Sequence, residues 1–128
     1  MYVADYTNNE IRKISPGGVV STFAGNIQQG SDDGQGTSAR FYNPEAITAD
    51  KDGNLFVTDW DNETIRKITP AGVVTTIAGI VGYRGGNDGP GASASFYSPS
   101  GIAVDSNGNI FVGDAGNYRV RKLTLKIN

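Results

Sequence analysis

Cysteine and histidine are both absent from this chain of 128 residues. Without cysteine there is no disulfide bond, no thiolate zinc site and no thiol nucleophile. Without histidine the chain lacks the commonest general base and the commonest metal ligand in proteins. We therefore predict that the chain is not an enzyme, and we assign no catalytic, cofactor-binding or metal-binding residue from the sequence.

A strong excess of charge and long apolar runs are missing as well. The chain carries 11 lysines and arginines against 13 acidic residues, for a net charge of −2. Such a balance argues against binding to nucleic acid or to an anionic membrane through net charge. No apolar run is long enough to span a bilayer. We therefore expect neither a nucleic acid partner nor a membrane span.

What the sequence does contain is glycine and a repeat. Its 18 glycines, together with valine, isoleucine, threonine, phenylalanine and tyrosine, indicate many strands and turns. The stretch from Ser98 to Asp114 has an earlier copy from Asn43 to Asp59, and the tail of a third copy opens the chain at Met1. Matched residues lie 54 or 55 positions apart, and the one-residue difference falls in a loop.

Each repeat unit contains four predicted strands, which we name A to D. In the central unit, strands A, B, C and D are predicted at 45–50, 55–59, 64–68 and 73–78. In the other copies, A is predicted at 101–105, B at 1–5 and 110–114, C at 10–14 and 118–124, and D at 19–24. The A–B connection carries Asp-x-x-Gly-Asn or its equivalent, and the C–D connection carries a proline–glycine turn. Only the D–A connection is long.

Four antiparallel strands per unit at a fixed period predict an all-β fold made of β-propeller blades. A sandwich or a solenoid is the alternative, but a single long connection in each repeat favours the propeller. We expect one segment with blade units at about 1–41, 42–96 and 97–128. Phe41 and Phe96 are predicted to fix the long loops, and the apolar residues Ile102, Val104, Ile110 and Val112 to face neighbouring blades.

The copies resemble a known family of repeats. The run from Pro99 to Leu123 closely resembles an NHL repeat, and the middle unit matches over 46–68 with Glu45 in place of glycine and Ala49 in place of valine. The fourth-strand motif, Gly-Val-Val-Ser/Thr-Thr-x-Ala-Gly, looks like the long-repeat variety common in bacterial surface and secreted proteins. The resemblance implies a non-enzymatic binding platform, with an extracellular or cell-surface location in a bacterium.

The number of blades raises the question of a complete ring. The predicted strands make two and a half blades, whereas propellers close with roughly four to eight. Because Met1 stands where Leu55 and Ile110 stand, we interpret the chain as a fragment of a longer array or an excised piece. The exposed blade faces predict self-association into a homo-oligomeric ring, and we prefer a trimer to a dimer.

The spacing also predicts which face binds a ligand. In an antiparallel four-stranded blade, the long D–A loops and the B–C turns emerge on one face, and elaborate loops usually carry binding. Residues that differ between copies are the better candidates there. An aromatic plane beside polar groups could stack on a sugar or hold a peptide carboxylate. The predicted ligand-face residues are Trp60, Asp61, Tyr83, Arg84, Arg40, Asp33 and Asp88.

Features that recur in every copy are interpreted as scaffold. The aspartate that ends strand B (Asp5, Asp59, Asp114) is expected to close the B–C turn with the asparagine that follows it. Seven of the basic residues lie on strand C, where we favour a solvated strand that pairs with acids of neighbouring blades over an RNA-binding stripe. The Asp-Gly segments at 31–36 and 86–91 are interpreted as turns rather than a Ca²⁺ site.

Together these features predict an NHL-type scaffold or binding module that takes a protein or glycan ligand. Two alternatives stay open, a fragment of a propeller hydrolase or lyase, and a propeller surface that binds RNA or glycan. Related propeller enzymes generally use histidine or clustered acids around a metal, which this chain does not offer.

Overall fold

The computed structural model describes residues 1–125, which form three antiparallel sheets in chain order. The first sheet has the strand order β1-β2-β3, the central sheet β4-β8-β7-β6-β5, and the third sheet β9-β10-β11. The strands are β1 (Tyr2–Asp5), β2 (Glu10–Ile14), β3 (Val20–Gly25), β4 (Gly34–Gln35), β5 (Pro44–Ala49), β6 (Leu55–Asp59), β7 (Thr64–Ile68), β8 (Val73–Gly79), β9 (Pro99–Val104), β10 (Ile110–Asp114) and β11 (Arg119–Leu123).

Turn chemistry explains the tight connections. In the β5–β6 hairpin, Asp50 Oδ1 accepts hydrogen bonds from the backbone N–H groups of Asp52 and Asn54, both at 2.9 Å. Gly53 completes this turn with a φ of 85°, a left-handed conformation that glycine adopts at little cost. The β9–β10 hairpin repeats the arrangement around Asp105. The predicted A–B hairpins are therefore confirmed.

The predicted strands A to D are confirmed, with ends that shift by at most two residues, and β4 is an addition. Gly34 and Gln35 pair with Val74 and Val73 at the outer edge of β8. The two residues of β4 do not show the alternation of apolar and polar side chains that predicts a strand. They pair with β8 because the long loop lies along that strand. The Gly36 N–H donates to the Gly72 carbonyl at 2.8 Å there.

The hydrophobic core lies between the sheets, in two clusters. Between the first and central sheets, Phe41 is fully buried among Ile11, Leu55 and Val57. Between the central and third sheets, Phe96 packs with Phe56, Ile65, Ala78, Ile110 and Val112, with Ile102 and Val104 against them. The predicted roles of Phe41 and Phe96, and the inward-facing apolar residues of the third sheet, are confirmed.

Short 3₁₀ helices make every B–C turn. They span Tyr6–Asn8, Trp60–Asn62 and Ala115–Asn117, and two more lie in the long loops at Gly36–Ser38 and Gly91–Ser93. Each B–C helix ends on a residue in the left-handed conformation: Asn9, Glu63 or Tyr118. None of the helices within residues 1–125 has the length and apolar character needed to cross a bilayer.

Candidate functional site

The polar centre of the central blade is Asp59, which is fully buried at the end of β6. Its Oδ2 accepts from Asn62 Nδ2 at 2.6 Å and from Arg66 Nη1 at 2.8 Å, and its Oδ1 accepts from the Tyr42 N–H at 2.8 Å. Desolvation raises the pKa of Asp59 to about 6, against the lowering effect of Arg66 and of these hydrogen bonds. The carboxylate is therefore ionised at neutral pH and forms a buried ion pair.

Arg66 connects this carboxylate to the long loop. Its side chain is 0% exposed. Nη1 donates to the Arg40 carbonyl at 2.8 Å, and Nη2 donates to the Asp32 carbonyl at 3.0 Å and to Asp33 Oδ1 at 2.9 Å. The guanidinium carbon also lies 4.8 Å from the centre of the Phe41 ring. A single buried cation thus fixes the loop that precedes β5.

The third blade repeats the arrangement at the equivalent positions. Arg121 pairs with Asp114 and Asp88, both at 2.7 Å, and donates to the carbonyls of Asn87 and Ser95. Asn117 Nδ2 donates to Asp114 Oδ2 at 2.7 Å. The first blade has the same aspartate–asparagine bond, between Asp5 and Asn8, at 2.9 Å. The predicted closure of the B–C turns is confirmed in all three copies.

The expectation that strand C is a solvated stripe of basic residues is wrong for Arg66 and Arg121. Both side chains are buried. Each pairs with the aspartate that ends strand B of its own sheet, and with an aspartate of the long loop, Asp33 or Asp88, that falls within the preceding predicted blade unit. One signal in the sequence could have found these pairs. Asp33 and Arg66 are separated by 33 residues, and so are Asp88 and Arg121.

Neighbouring blades are joined by the left-handed residue at the end of the first and of the second B–C turn. Asn9 Oδ1 accepts from the Asn43 N–H at 2.9 Å, just before β5. Glu63 is only 2% exposed, and its Oε2 accepts from the Ser98 N–H, just before β9. Its Oε1 accepts from Arg84 Nε at 2.9 Å. We call the pairs Asn9–Asn43 and Glu63–Ser98 the inter-blade latches.

The long loops and the B–C turns do share one face, as predicted. Asn62 Nδ2 reaches the Gly30 carbonyl at 2.7 Å, and Asn117 Nδ2 reaches the Gly85 carbonyl at 2.8 Å. Both glycines lie in D–A loops, and both asparagines lie in B–C turns. The two kinds of connection therefore interlock on this loop face.

The predicted ligand-face residues occupy different environments. Asp33 and Asp88 bind the two buried arginines, Arg40 donates to the Thr37 and Ala39 carbonyls, and Arg84 binds Glu63 and lies 5.2 Å from the Tyr97 ring centre. Tyr83 is 49% exposed. Within residues 1–125 no group of three or more acidic side chains could hold a metal ion.

Trp60 and Asp61 lie together at the start of the central B–C turn, beside Tyr6 of the first blade. The Tyr6 and Trp60 ring centres are 5.9 Å apart with planes tilted by 48°. Desolvation and the nearby charges of Asp61 and Glu45 raise the pKa of Tyr6, and partial burial raises the pKa of Glu45. We call Tyr6, Trp60, Asp61 and Glu45 the aromatic patch. The sequence placed Tyr6 and Trp60 at equivalent positions, but it could not place their rings in contact.

The opposite face has a cavity of about 430 Å³ between two A–B hairpins, with Asp50, Asp105, Phe56 and Leu125 in its lining. The carboxylates of Asp50 and Asp105 accept the hydrogen bonds that close the two turns. Hydrogen bonds from the side chain and backbone of Asn109 lower the pKa of Asp105. Hydrogen bonds from Asn54 and Asp52 to Asp50 hold the other hairpin in the same way.

Comparisons with known proteins agree with this blade geometry. The family model described as "NHL repeat" matches residues 96–123. A chloroplastic protein of Arabidopsis thaliana named SUPPRESSOR OF QUENCHING 1 is 31% identical over 97% of this chain and 13% of its own length. Human NHL repeat-containing protein 2 is 27% identical over 98% of this chain and 19% of its own length. The chain thus spans less than a fifth of either relative.

Two further matches concern function. A solved auxiliary nutrient binding protein from Bacteroides ovatus has a TM-score of 0.80 and 29% identity, over 94% of this chain and 33% of its own. A probable peptidyl-alpha-hydroxyglycine alpha-amidating lyase of Caenorhabditis elegans is 36% identical over 69% of this chain and 24% of its own length. Its name describes an enzyme, whereas the Bacteroides name describes a binding protein. With the blade architecture and the matched repeat at 96–123, the chain belongs to the NHL-repeat β-propeller family.

Proposed function

We propose that this chain is a non-enzymatic binding module and that the aromatic patch is its ligand-binding surface. The observation that carries the proposal is the contact between the Tyr6 and Trp60 rings on the loop face. The carboxylates at the B-strand ends are committed to arginine and asparagine partners. Tyr6, by contrast, is 37% exposed, and Trp60 is half-buried. Asp61 is half-buried too, and of its carboxylate oxygens only Oδ2 has a partner within residues 1–125, the Nδ2 group of Asn43.

A saccharide is the ligand class that suits this patch best. Aromatic rings pack against the apolar face of a sugar, and the carboxylates of Asp61 and Glu45 accept hydrogen bonds from its hydroxyl groups. A peptide carboxylate suits it less well, because both charges next to Tyr6 are negative. The name of the Bacteroides neighbour, a nutrient binding protein at 29% identity, supports a binding role.

Trp60 is the single tryptophan of the chain, so its fluorescence reports on the patch directly. We expect one of a panel of neutral gluco-, xylo- and manno-oligosaccharides to change this fluorescence saturably. Substitution Tyr6→Ala keeps the reporter and removes the neighbouring ring, and it should weaken that binding about fivefold, since a stacked aromatic contributes about 1 kcal/mol.

Tyr83→Ala is the matched control, because Tyr83 is a more exposed tyrosine that lies outside the patch. It should leave the dissociation constant unchanged. Equal binding by Tyr6→Ala, or no saturable signal from any oligosaccharide of the panel, would contradict the proposed surface.

We further propose that the outer blade faces associate head to tail in copies of this chain. At the third-blade end, Val120 is 76% exposed, whereas Ile11 and Ile65 at the equivalent positions are fully buried between blades. At the first-blade end, Met1 is 75% exposed, whereas the equivalent residues Leu55 and Ile110 are buried. The two outer faces are therefore the two halves of an interface that the chain already forms internally.

Sedimentation should then give a multiple of the 13.5 kDa chain mass, with three copies favoured. Val120→Asp places a charge in the middle of one face and should shift the protein to the monomer, because an unpaired charge is costly to bury. Ser106→Asp, at an exposed A–B turn, is the control and should not change the mass. A wild-type monomer at high concentration would exclude the association.

A further inference from the structure

The second inter-blade latch differs from the first because it carries a charge. Asn9 closes the first junction with a neutral side chain, whose Oδ1 accepts from the Asn43 N–H and whose Nδ2 donates to the Ile27 carbonyl at 3.1 Å. Glu63 closes the second junction with a carboxylate, and the residue is only 2% exposed. A neutral side chain would make this contact without the cost of burying a charge, which indicates that the carboxylate has a second role.

That second role is to hold Arg84 on the loop face. Glu63 Oε1 accepts from Arg84 Nε at 2.9 Å, and the guanidinium carbon lies 5.2 Å from the centre of the Tyr97 ring. The Arg84 side chain is nevertheless 57% exposed. Because Glu63 binds Nε, the N–H groups of Nη1 and Nη2 take no part in this ion pair. A cation that is fixed by a buried acid and an aromatic ring thus remains accessible to solvent.

Arg84 lies next to the aromatic patch, on the side of the third blade. Trp60 begins the central B–C helix and Glu63 caps its end, where the Glu63 N–H donates to the Trp60 carbonyl at 3.3 Å. Tyr6 contacts Trp60 from the first blade. Arg84 reaches the same turn from the long loop that leads to β9. A ligand that lies on Trp60 and extends towards the third blade would therefore meet the guanidinium.

The two sides of this surface carry opposite charges. The patch contains two acids, Asp61 and Glu45, whose equivalents in the third blade are Gly116 and Ser100. These two residues have no charge, and Arg84 supplies a positive one on their side. The acids favour a neutral, hydroxyl-rich part of a ligand, whereas the guanidinium favours a part with a negative charge.

We propose that Arg84 makes this surface selective for acidic oligosaccharides, because its Nη1 and Nη2 groups bind the carboxylate of a uronic acid residue next to the sugar that packs on Trp60. The inference rests on the saccharide binding proposed above and names the class of saccharide. The planar fork of a guanidinium matches the two oxygens of a carboxylate. The neighbouring sugar ring supplies the apolar face that an aromatic side chain contacts. A simple carboxylic acid would make only the first of these contacts.

The experiment titrates the fluorescence of Trp60 in the full chain with matched probes. Each set contains a neutral gluco-, xylo- or manno-oligosaccharide, the same chain with one glucuronic acid residue, and the methyl ester of that acid. In the set that binds, the acid should bind about fivefold more tightly than its ester and the neutral chain, which is the size expected of an exposed ion pair. Added salt should reduce this preference, because exposed charges are screened.

The double substitution Glu63→Asn with Arg84→Gln installs the neutral pair of the first junction, where Asn9 and Gln29 occupy the same positions. Both charges are removed together, so no unpaired carboxylate is buried. This variant should bind the acid and its ester with equal affinity, and circular dichroism verifies that it is folded. Lys51→Gln is the matched control, because Lys51 is an exposed cation on the opposite face. It should keep the fivefold preference.

The outcomes separate this inference from the binding surface itself. Equal affinity of the wild type for the acid and its ester would overturn the role of Arg84 and leave saccharide binding at the patch standing. A preference that the double variant retains would do the same. If none of the probes gave a saturable signal, both the selectivity and the proposed surface would be overturned.

Discussion

Replacing Arg66 with methionine is expected to destabilise the chain by about 3–5 kcal/mol, the range found when one partner of a buried ion pair is removed. The substitution leaves the fully buried Asp59 carboxylate without its cation. It also removes the donors to the Arg40 and Asp32 carbonyls and to Asp33. Since small domains are stable by only about 5–15 kcal/mol, chemical denaturation should show a large loss of the unfolding free energy.

Arg12→Met serves as the internal control, because Arg12 occupies the same position in the first blade. Its side chain is partly exposed, and its two ion-pair partners are side chains of β1 and β2. Exposed ion pairs contribute about 0–1 kcal/mol, so this variant should lose far less stability than Arg66→Met. Equal losses of unfolding free energy in the two variants would show that burial of the arginine by the long loop does not determine its contribution to stability.

The fold could be predicted because its strands are defined by local chemistry that occurs in every copy. The central strands Leu55–Asp59 and Thr64–Ile68 have the predicted bounds, since an Asp-Gly-Asn turn precedes one and an asparagine-containing turn separates the two. The extra strand Gly34–Gln35 could not be predicted, because its two residues have no strand pattern of their own. Its pairing depends on how the long loop lies across β8.

The candidate site was harder to predict for a physical reason. Arg66 lies beside Lys67 in a strand of mixed polarity, and nothing local distinguishes the buried guanidinium from the neighbouring amine. Its burial depends on Asp33 and on carbonyls more than 25 residues away. Glu63 is a similar case, because its carboxylate accepts a hydrogen bond from the Ser98 N–H, which is 35 residues away. Its backbone is in the left-handed conformation, which glycine adopts more readily than glutamate.

These contacts also explain why differences between copies are informative. Where the copies agree, as at Asp59 and Asp114, the side chains build the blade. Where they differ, as at Trp60 against Ala115, the side chain is not required by the blade itself. The proposed ligand surface therefore falls at positions where the copies differ.

A single methyl group added at Gly25 is expected to have the second large effect, a loss of about 3 kcal/mol or more. Gly25 ends β3 with a φ of 82°, in the left-handed region that costs other residues roughly 1–2 kcal/mol. An alanine Cβ would lie 2.6 Å from the Asn9 carbonyl oxygen and 2.8 Å from Phe41 Cδ2. Neither atom can yield easily, because Asn9 forms an inter-blade latch and Phe41 is buried in the core.

Gly18→Ala separates the two causes. Gly18 has almost the same φ, 83°, but an added Cβ would meet nothing within 4 Å. Its substitution should therefore cost only the backbone strain, roughly 1–2 kcal/mol, and the difference between the two variants measures the close approach of the first blade to the loop that follows it. Urea denaturation of both proteins provides that difference. Similar losses at Gly18 and Gly25 would mean that the Asn9 latch and the Phe41 ring can shift aside without cost, and that blade packing tolerates far more displacement than these buried contacts imply.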